Sequence, residues 1–217
     1  MTIRVKICCI QNEREAADAI SFGASAIGLV GKMPSGPGPI TDDAIKRIAR
    51  TVPPTVDTFL LTSEQTPQGI VEHHRRTGTN TIQIVDELPG KGYASIREAL
   101  PDVKLVQVIH VVGDESVDEA CEVAEHVDAI LLDSGNPKLA VKELGGTGRR
   151  HDWRLSRKIV ETCGKPVFLA GGLNAGNVRE AVDTVQPFGL DLCSGVRTED
   201  KLDLTKLEQF FRAISRA

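Results

Sequence analysis

Two hydrophobic rhythms take turns along this chain. One is a short, nearly continuous apolar run, the mark of a strand buried on both faces; the other repeats every three to four residues, the mark of an amphipathic helix. Ile3 to Cys9, with Ile3, Val5 and Ile7 apolar, predicts a first strand. Glu13 to Phe22 predicts a helix with Ala16, Ala17 and Ile20 on one face, stopped at Gly23. Ser25 to Val30 is the second strand. Gly31 to Pro39 is too dense in proline and glycine to be anything but a loop. Thr41 then caps a helix with Ala44, Ile45, Ile48 and Ala49 at helical spacing. Thr55 to Leu61 is strand three, and Thr66 to Arg76 its helix. Thr81 to Val85 is strand four, followed by a Gly90-Lys91-Gly92 loop and a helix through Leu100. Val103 to Val111 and Ser116 to Glu125 form the fifth pair. Val127 to Asp133 is strand six, followed by a long loop to Arg150 and a helix capped by Asp152. Pro166 to Ala170 and Phe188 to Leu192 are strands seven and eight, with a helix capped by Asn174 between them. Leu204 to Ile214 closes the chain.

Eight strand–helix units without a composition shift imply an α/β protein with a parallel sheet covered by helices. Eight units over roughly 210 residues fit a closed (β/α)8 TIM barrel better than an open doubly wound sheet. We expect one barrel domain over residues 1–217. The length of 217 residues and 41% hydrophobic content support one sizeable core.

Charge and cysteine usage narrow the partners. A net charge of −4 argues against a nucleic-acid or anionic-membrane surface. No apolar run approaches the ~18 residues of a membrane helix, and the N-terminus lacks the pattern of a secretory signal. Five cysteines, an odd number without a CxxC pair, fit reduced thiols in a cytoplasmic protein. The histidines show no ligand spacing with the cysteines, so no metal site is expected.

In such a barrel the active site lies at the C-terminal strand ends. Strand one ends at Cys8-Cys9, strand four carries Gln83, and strand six ends at Asp133. Strand seven ends at Gly171-Gly172. Strand eight carries Asp191 and ends at Ser194-Gly195. Cys8 is either a base or nucleophile or a small buried hydrophobe. Cys9 falls on the opposite face of the strand or in the turn, and its structural reading is favoured. Asp133 is either a loop cap or an acid whose burial raises its pKa. Asp191 sits inside an apolar run, an expensive place for a charge without a partner or a polar pocket. The turns after strands seven and eight are either ordinary caps or a paired anion site where barrels hold phosphate. Lys6 faces the interior or the surface. The loop Gly145-Gly146-Thr147-Gly148 wraps a ligand or is flexible. His73-His74 and Arg75-Arg76 read as solvated helix charges. Together these residues fit acid–base chemistry on a phosphorylated small molecule.

Taken in order, the motifs resemble the phosphoribosylanthranilate isomerase family. They are Lys6-Ile7-Cys8, Gln83, Leu132-Asp133, Gly145-Gly146-Thr147-Gly148 before Asp152-Trp153, Gly171-Gly172-Leu173-Asn174 with Asn177-Val178, and Asp191 with Ser194-Gly195-Val196. The resemblance runs from about residue 3 to about residue 212 and is weakest over 30–125. It implies an Amadori rearrangement in tryptophan biosynthesis, from N-(5-phosphoribosyl)anthranilate to 1-(2-carboxyphenylamino)-1-deoxyribulose 5-phosphate. Asp133 would be the general acid at the ring oxygen, and Cys8, as thiolate, the base at C2′. Gly171, Gly172, Ser194 and Gly195 would hold the phosphate. Lys6, Gln83, Gly146 and Asp191 would contact the rest of the substrate, with Asp191 at the sugar hydroxyls. A Schiff-base cation serves as electron sink, so the resemblance implies no metal and no cofactor. It also implies a sugar-phosphate substrate and a monomer or homodimer in the cytoplasm.

Four departures stand out. The family's Lys-Ile-Cys-Gly-Ile-Thr reads Lys6-Ile7-Cys8-Cys9-Ile10-Gln11 here. The family's arginine for the anthranilate carboxylate is missing from Ser35-Gly36-Pro37-Gly38-Pro39-Ile40. Gln-Leu-His-Gly reads Gln83-Ile84-Val85-Asp86, and Arg197 stands where glutamate is usual. Lys32, Arg149, Arg150 and Arg197 are the cations that could replace the missing arginine. Two alternatives follow: a paralogous isomerase with another aglycone, or a non-catalytic phosphate-ligand barrel.

Overall fold

The computed structural model describes residues 3–135, 142, 144 and 148–215. Eight parallel strands close a barrel in chain order: β1 (Arg4–Ile7), β2 (Ala26–Val30), β3 (Asp57–Thr62), β4 (Thr81–Ile84), β5 (Lys104–His110), β6 (Ala129–Asp133), β7 (Val167–Leu169) and β8 (Gly189–Leu192). The helices between and after them are α1 (Glu13–Ser21), α2 (Asp42–Thr51), α3 (Pro67–Thr77), α4 (Tyr93–Ala99), α5 (Glu115–Ala124), α6 (Trp153–Thr162), α7 (Val178–Val185) and α8 (Leu204–Ser215). Every expected strand and helix is present, most with ends moved by one or two residues.

Local chemistry explains the boundaries. Asn12, Thr41, Thr66 and Asp152 each accept a hydrogen bond from the first turn of the helix that follows. The expected cap at Asn174 is not one. Its Oδ1 takes the Gly176 N–H, and Asn177 occupies the cap position three residues later. A 3-10 turn (Ser194–Val196) and a hairpin of Arg197–Thr198 with Lys201–Leu202 follow β8. Such short elements leave no periodic signature in the sequence.

The core has two layers. Residues such as Ile7, Leu60, Ile82 and Leu132 pack between sheet and helices. The alternate positions, including Cys8, Phe59, Val106 and Leu131, fill the barrel interior. Gly28 of β2 is required there: a β-carbon would stand 2.7 Å from the Cys8 Sγ and 3.1 Å from the Lys6 Cε.

Two expectations are corrected on the outer layer. His73 and His74 are buried, not solvated. The inward face of α3 repeats as Ile70, Val71, His73, His74 and Thr77, so the histidines and the arginines beside them fall on different faces. His73 Nδ1 meets Thr62 Oγ1 at 2.8 Å and its Nε2 meets Asp42 at 3.1 Å, while His74 Nε2 meets the Thr79 carbonyl. Burial lowers both histidine pKa values, which favours neutral rings. The reduced-thiol expectation also fails in part. Cys121 of α5 and Cys163 at the end of α6 are bonded, with Cα atoms 4.5 Å apart. Their sequence separation of 42 residues hides the contact. Among the described residues, no helix is long and apolar enough to cross a membrane.

Candidate active site

A cavity at the C-terminal end of the barrel gathers Cys8, Cys9, Gln83, Asp133, Gly171, Gly172, Asp191, Cys193 and Ser194. Strand parity brings them together. Lys6 and Cys8, Gln83, Asp133, and Asp191 and Cys193 all lie on the interior side of their strands. Gly146 lies outside the described residues.

Lys6 is fully buried, and its Nζ stands 2.9 Å from Asp191 Oδ1. This partner explains how β8 tolerates a carboxylate. An isolated buried charge costs several kcal/mol, and the pair removes most of that penalty. The contact is off the hydrogen-bonding axis, since neither Nζ nor Oδ1 has an aligned partner among the described residues. Asp191 lines the cavity and retains hydrogen-bonding capacity toward it, with Lys6 fully buried behind it. Burial alone would lower the lysine pKa; the Asp191 charge and the neighbouring thiols outweigh it and hold the ammonium form. Gln83 is also buried, and its Oε1 has no partner among the described residues.

Cys8 sits beside this ammonium. The adjoining Cys9 thiol lowers its pKa against the opposing effect of burial, and Lys6 lowers it further. Cys9 departs from expectation. Its φ of 62° breaks the strand alternation and turns it into the same cavity as Cys8. Asp133 shifts the other way. Burial raises its pKa, partly offset by the Ser134 N–H at 2.7 Å and by His110. His110 neighbours Asp133 in the β5–β6 register, with Nε2 at 3.1 Å from the Val85 carbonyl. The site thus holds a thiol biased toward thiolate and a carboxyl biased toward its acid form.

The glycine turns pack backbone on backbone. Gly171 and Gly172 have φ of 85° and 64°. A β-carbon at Gly172 would stand 2.7 Å from the Gly148 carbonyl oxygen, and one at Gly195 would overlap the Leu173 carbonyl. Loops after β6, β7 and β8 therefore converge. The N–H groups of Gly172, Ser194 and Gly195 donate no hydrogen bond among the described residues, which suits an anion.

Arg197 is corrected here. It is buried, and its guanidinium bonds Glu15 at 2.7 Å. Glu15 also accepts the N–H groups of Gln11 and Leu202. This network ties the segment after β1 to the hairpin after β8 and so fixes both sides of the thiol cluster. Arg150 stacks on Trp153 at 3.7 Å and reaches Glu180, outside the cavity. Lys32 is exposed and does not line it. Opposite the glycine turns the lining is Val30, Met33, Leu61, Val85 and Leu144, with no Lys or Arg among the described residues. Cys9 and Cys193 also line the cavity, and His110 lies beside Asp133 on the adjacent strand. Their positions at or next to strand ends were the one available signal.

Comparison with known proteins fits this geometry. The family model for N-(5′-phosphoribosyl)anthranilate (PRA) isomerase matches residues 5–213. The chain is similar to the N-(5′-phosphoribosyl)anthranilate isomerase of Methanosarcina acetivorans, at 33% identity over 97% of this chain and 92% of that one. It is 36% identical to that of Halobacterium salinarum, over 89% and 86% of the two chains. The solved phosphoribosyl anthranilate isomerase of Thermotoga maritima superposes with a TM-score of 0.83 at 28% identity, covering 99% and 100% of the chains. A phosphoribosyl anthranilate isomerase in complex with reduced 1-(o-carboxyphenylamino)-1-deoxyribulose 5-phosphate gives a TM-score of 0.79 at 27% identity, covering 99% and 100% of the chains.

Proposed function

This chain belongs to the N-(5′-phosphoribosyl)anthranilate isomerase family, and from that premise we propose how its residues carry out the Amadori rearrangement of N-(5′-phosphoribosyl)anthranilate in tryptophan biosynthesis. Asp133 protonates the furanose ring oxygen, and the ring opens to a Schiff-base cation. Cys8 thiolate removes the C2′ proton, giving an enolamine that tautomerises to the ketone. One observation carries this reading: a carboxyl with a raised pKa and a thiol with a lowered one line one cavity. Lys6, Gln83 and Asp191 meet the sugar hydroxyls, and Gly171, Gly172, Ser194 and Gly195 cradle the phosphate. We take residues 1–217 as one catalytic barrel domain acting in the cytoplasm on a small sugar phosphate.

The direct test follows the loss of phosphoribosylanthranilate fluorescence, beside rescue of a tryptophan auxotroph. Turnover and rescue are expected. A folded protein that does neither overturns the reading.

The apolar lining opposite the glycine turns favours a second reading, an isomerase whose aglycone lacks the carboxylate. The discriminating measurement compares phosphoribosylanthranilate with its aniline counterpart. Hydrogen bonds to a charged group are worth about 1.5–3 kcal/mol. A carboxylate subsite therefore favours anthranilate by about 10- to 100-fold in kcat/KM, and equal or reversed values select the second reading.

The phosphate cradle makes its own prediction. Gly195→Ala pushes a β-carbon into the Leu173 carbonyl and displaces the Ser194-Gly195 turn. KM should rise by about 10- to 100-fold, the loss of one or two charge-assisted hydrogen bonds, and competitive inhibition by inorganic phosphate should weaken in parallel. An unchanged inhibition constant removes the phosphate from this turn.

A further inference from the structure

The acid–base reading uses one of the three thiols in the cavity. The free cysteines are Cys8, Cys9 and Cys193, and the last two form a close pair of their own. Their sulfurs stand 2.6 Å apart, closer than two unbonded sulfurs rest and within about 0.6 Å of bonding distance. The fold brings them there. The register pair Ile7–Leu192 and the Cys8 N–H bonded to the Leu192 carbonyl at 2.7 Å set residue 8 beside residue 193, and Cys9, one residue further on with φ of 62°, turns its sulfur back to Cys193.

Cys9 is an unusual residue for its backbone. A φ of 62° is a region where residues bearing a β-carbon other than Asn and Asp are uncommon. The same twist aims its sulfur at Cys193. Gly38 packs against it so closely that a β-carbon added there would stand 2.7 Å from the Cys9 Cβ. Its second polar contact is the Pro37 carbonyl at 3.7 Å. Cys193 lines the cavity and is half-buried while Cys9 is buried, so a small polar oxidant reaches Cys193 first.

We propose that Cys9 and Cys193 form a reversible thiol-oxidation site that takes a small peroxide and closes a disulfide between the ends of β1 and β8, beside Cys8. The Cys193 thiolate attacks one peroxide oxygen, the O–O bond breaks, and the sulfur becomes a sulfenic acid with release of hydroxide. Cys9 then attacks that sulfur, the S–O bond breaks, and water leaves with the Cys9 proton. Overall two thiols lose two electrons to one peroxide and two waters form. Burial and the adjoining thiols hold Cys9 as a thiol until this second step. Once oxidised, Cys9 is no longer the thiol that lowers the Cys8 pKa. That consequence rests on the role assigned to Cys8; the disulfide itself does not.

The test treats the full chain with hydrogen peroxide, alkylates the remaining thiols after denaturation, and maps peptides by mass. Wild-type protein should lose two of its three free thiols, retain an alkylated Cys8, and yield a Cys9–Cys193 cross-link reversed by dithiothreitol. Cys8→Ala, which removes any ambiguity between adjacent cysteines, should give the same cross-link. Cys193→Ser should give none. Alkylated Cys9 and Cys193 after treatment, a Cys8–Cys9 bond, or Cys193 sulfinic acid beside free Cys9 each overturns the proposal. If the cross-link forms while turnover is unchanged, the site stands and the role of Cys8 falls. If turnover drops at least about tenfold and recovers with dithiothreitol, both stand.

Discussion

Cys8→Ala will lower kcat by about 10²- to 10⁴-fold, the usual contribution of a positioned general base, and leave the barrel folded. The side chain lost is small, so the structural cost is about 1 kcal/mol. Circular dichroism and the thermal midpoint separate this outcome from unfolding. Cys8→Ser should be nearly as inactive, because a hydroxyl ionises far less readily than a thiol whose pKa is lowered. The pH profile gives a second readout. A base must be deprotonated, so its titration produces the rise of kcat/KM with pH. Removing it should abolish that rise and leave only the fall caused by the acid. Activity within about threefold of wild type, or a retained acid-side rise, would remove Cys8 from the mechanism.

The same strand-end logic shows what the chain displays before folding and what it hides. Barrel topology is legible because each unit alternates a buried apolar run with an amphipathic helix. Cys8, Gln83, Asp133 and Asp191 are legible as candidates because each interrupts or ends such a run. Their convergence depends on register across eight strands, which no local pattern encodes. Arg197 escapes a local reading because its partner, Glu15, lies 182 residues away. His73 and His74 escape it because charge counts along the chain, while α3 sorts residues by face. Strand alternation sets Cys9 aside, and its left-handed backbone breaks that alternation. The apolar lining of Val30, Met33 and Leu61 agrees with the missing arginine, because none of Lys32, Arg149, Arg150 and Arg197 is among the lining residues.

Asp133→Asn tests the other half of the chemistry, and the reason lies in protonation populations. The reaction needs a carboxylic acid and a thiolate in one cavity. With reference pKa values near 3.9 and 8.5, roughly 10⁻⁵ to 10⁻⁴ of molecules hold that combination at any pH between them. Each unit by which the two values converge raises the fraction about tenfold. Burial raises Asp133, while Cys9 and Lys6 lower Cys8, so the cavity moves both values in the productive direction. Asparagine preserves shape and an acceptor for the Ser134 N–H, but donates no proton to the ring oxygen. We expect kcat to fall by about 10²- to 10⁴-fold. We also expect the alkaline fall to vanish, since an acid is lost as pH rises through its pKa and asparagine does not titrate. The residual rate should climb with pH to a plateau at the Cys8 pKa. In that background Cys9→Gly, which removes the adjoining thiol that holds the Cys8 pKa down, should move the climb to higher pH. A climb that stays in place, or an alkaline fall that persists in Asp133→Asn, would assign the proton transfers to other groups.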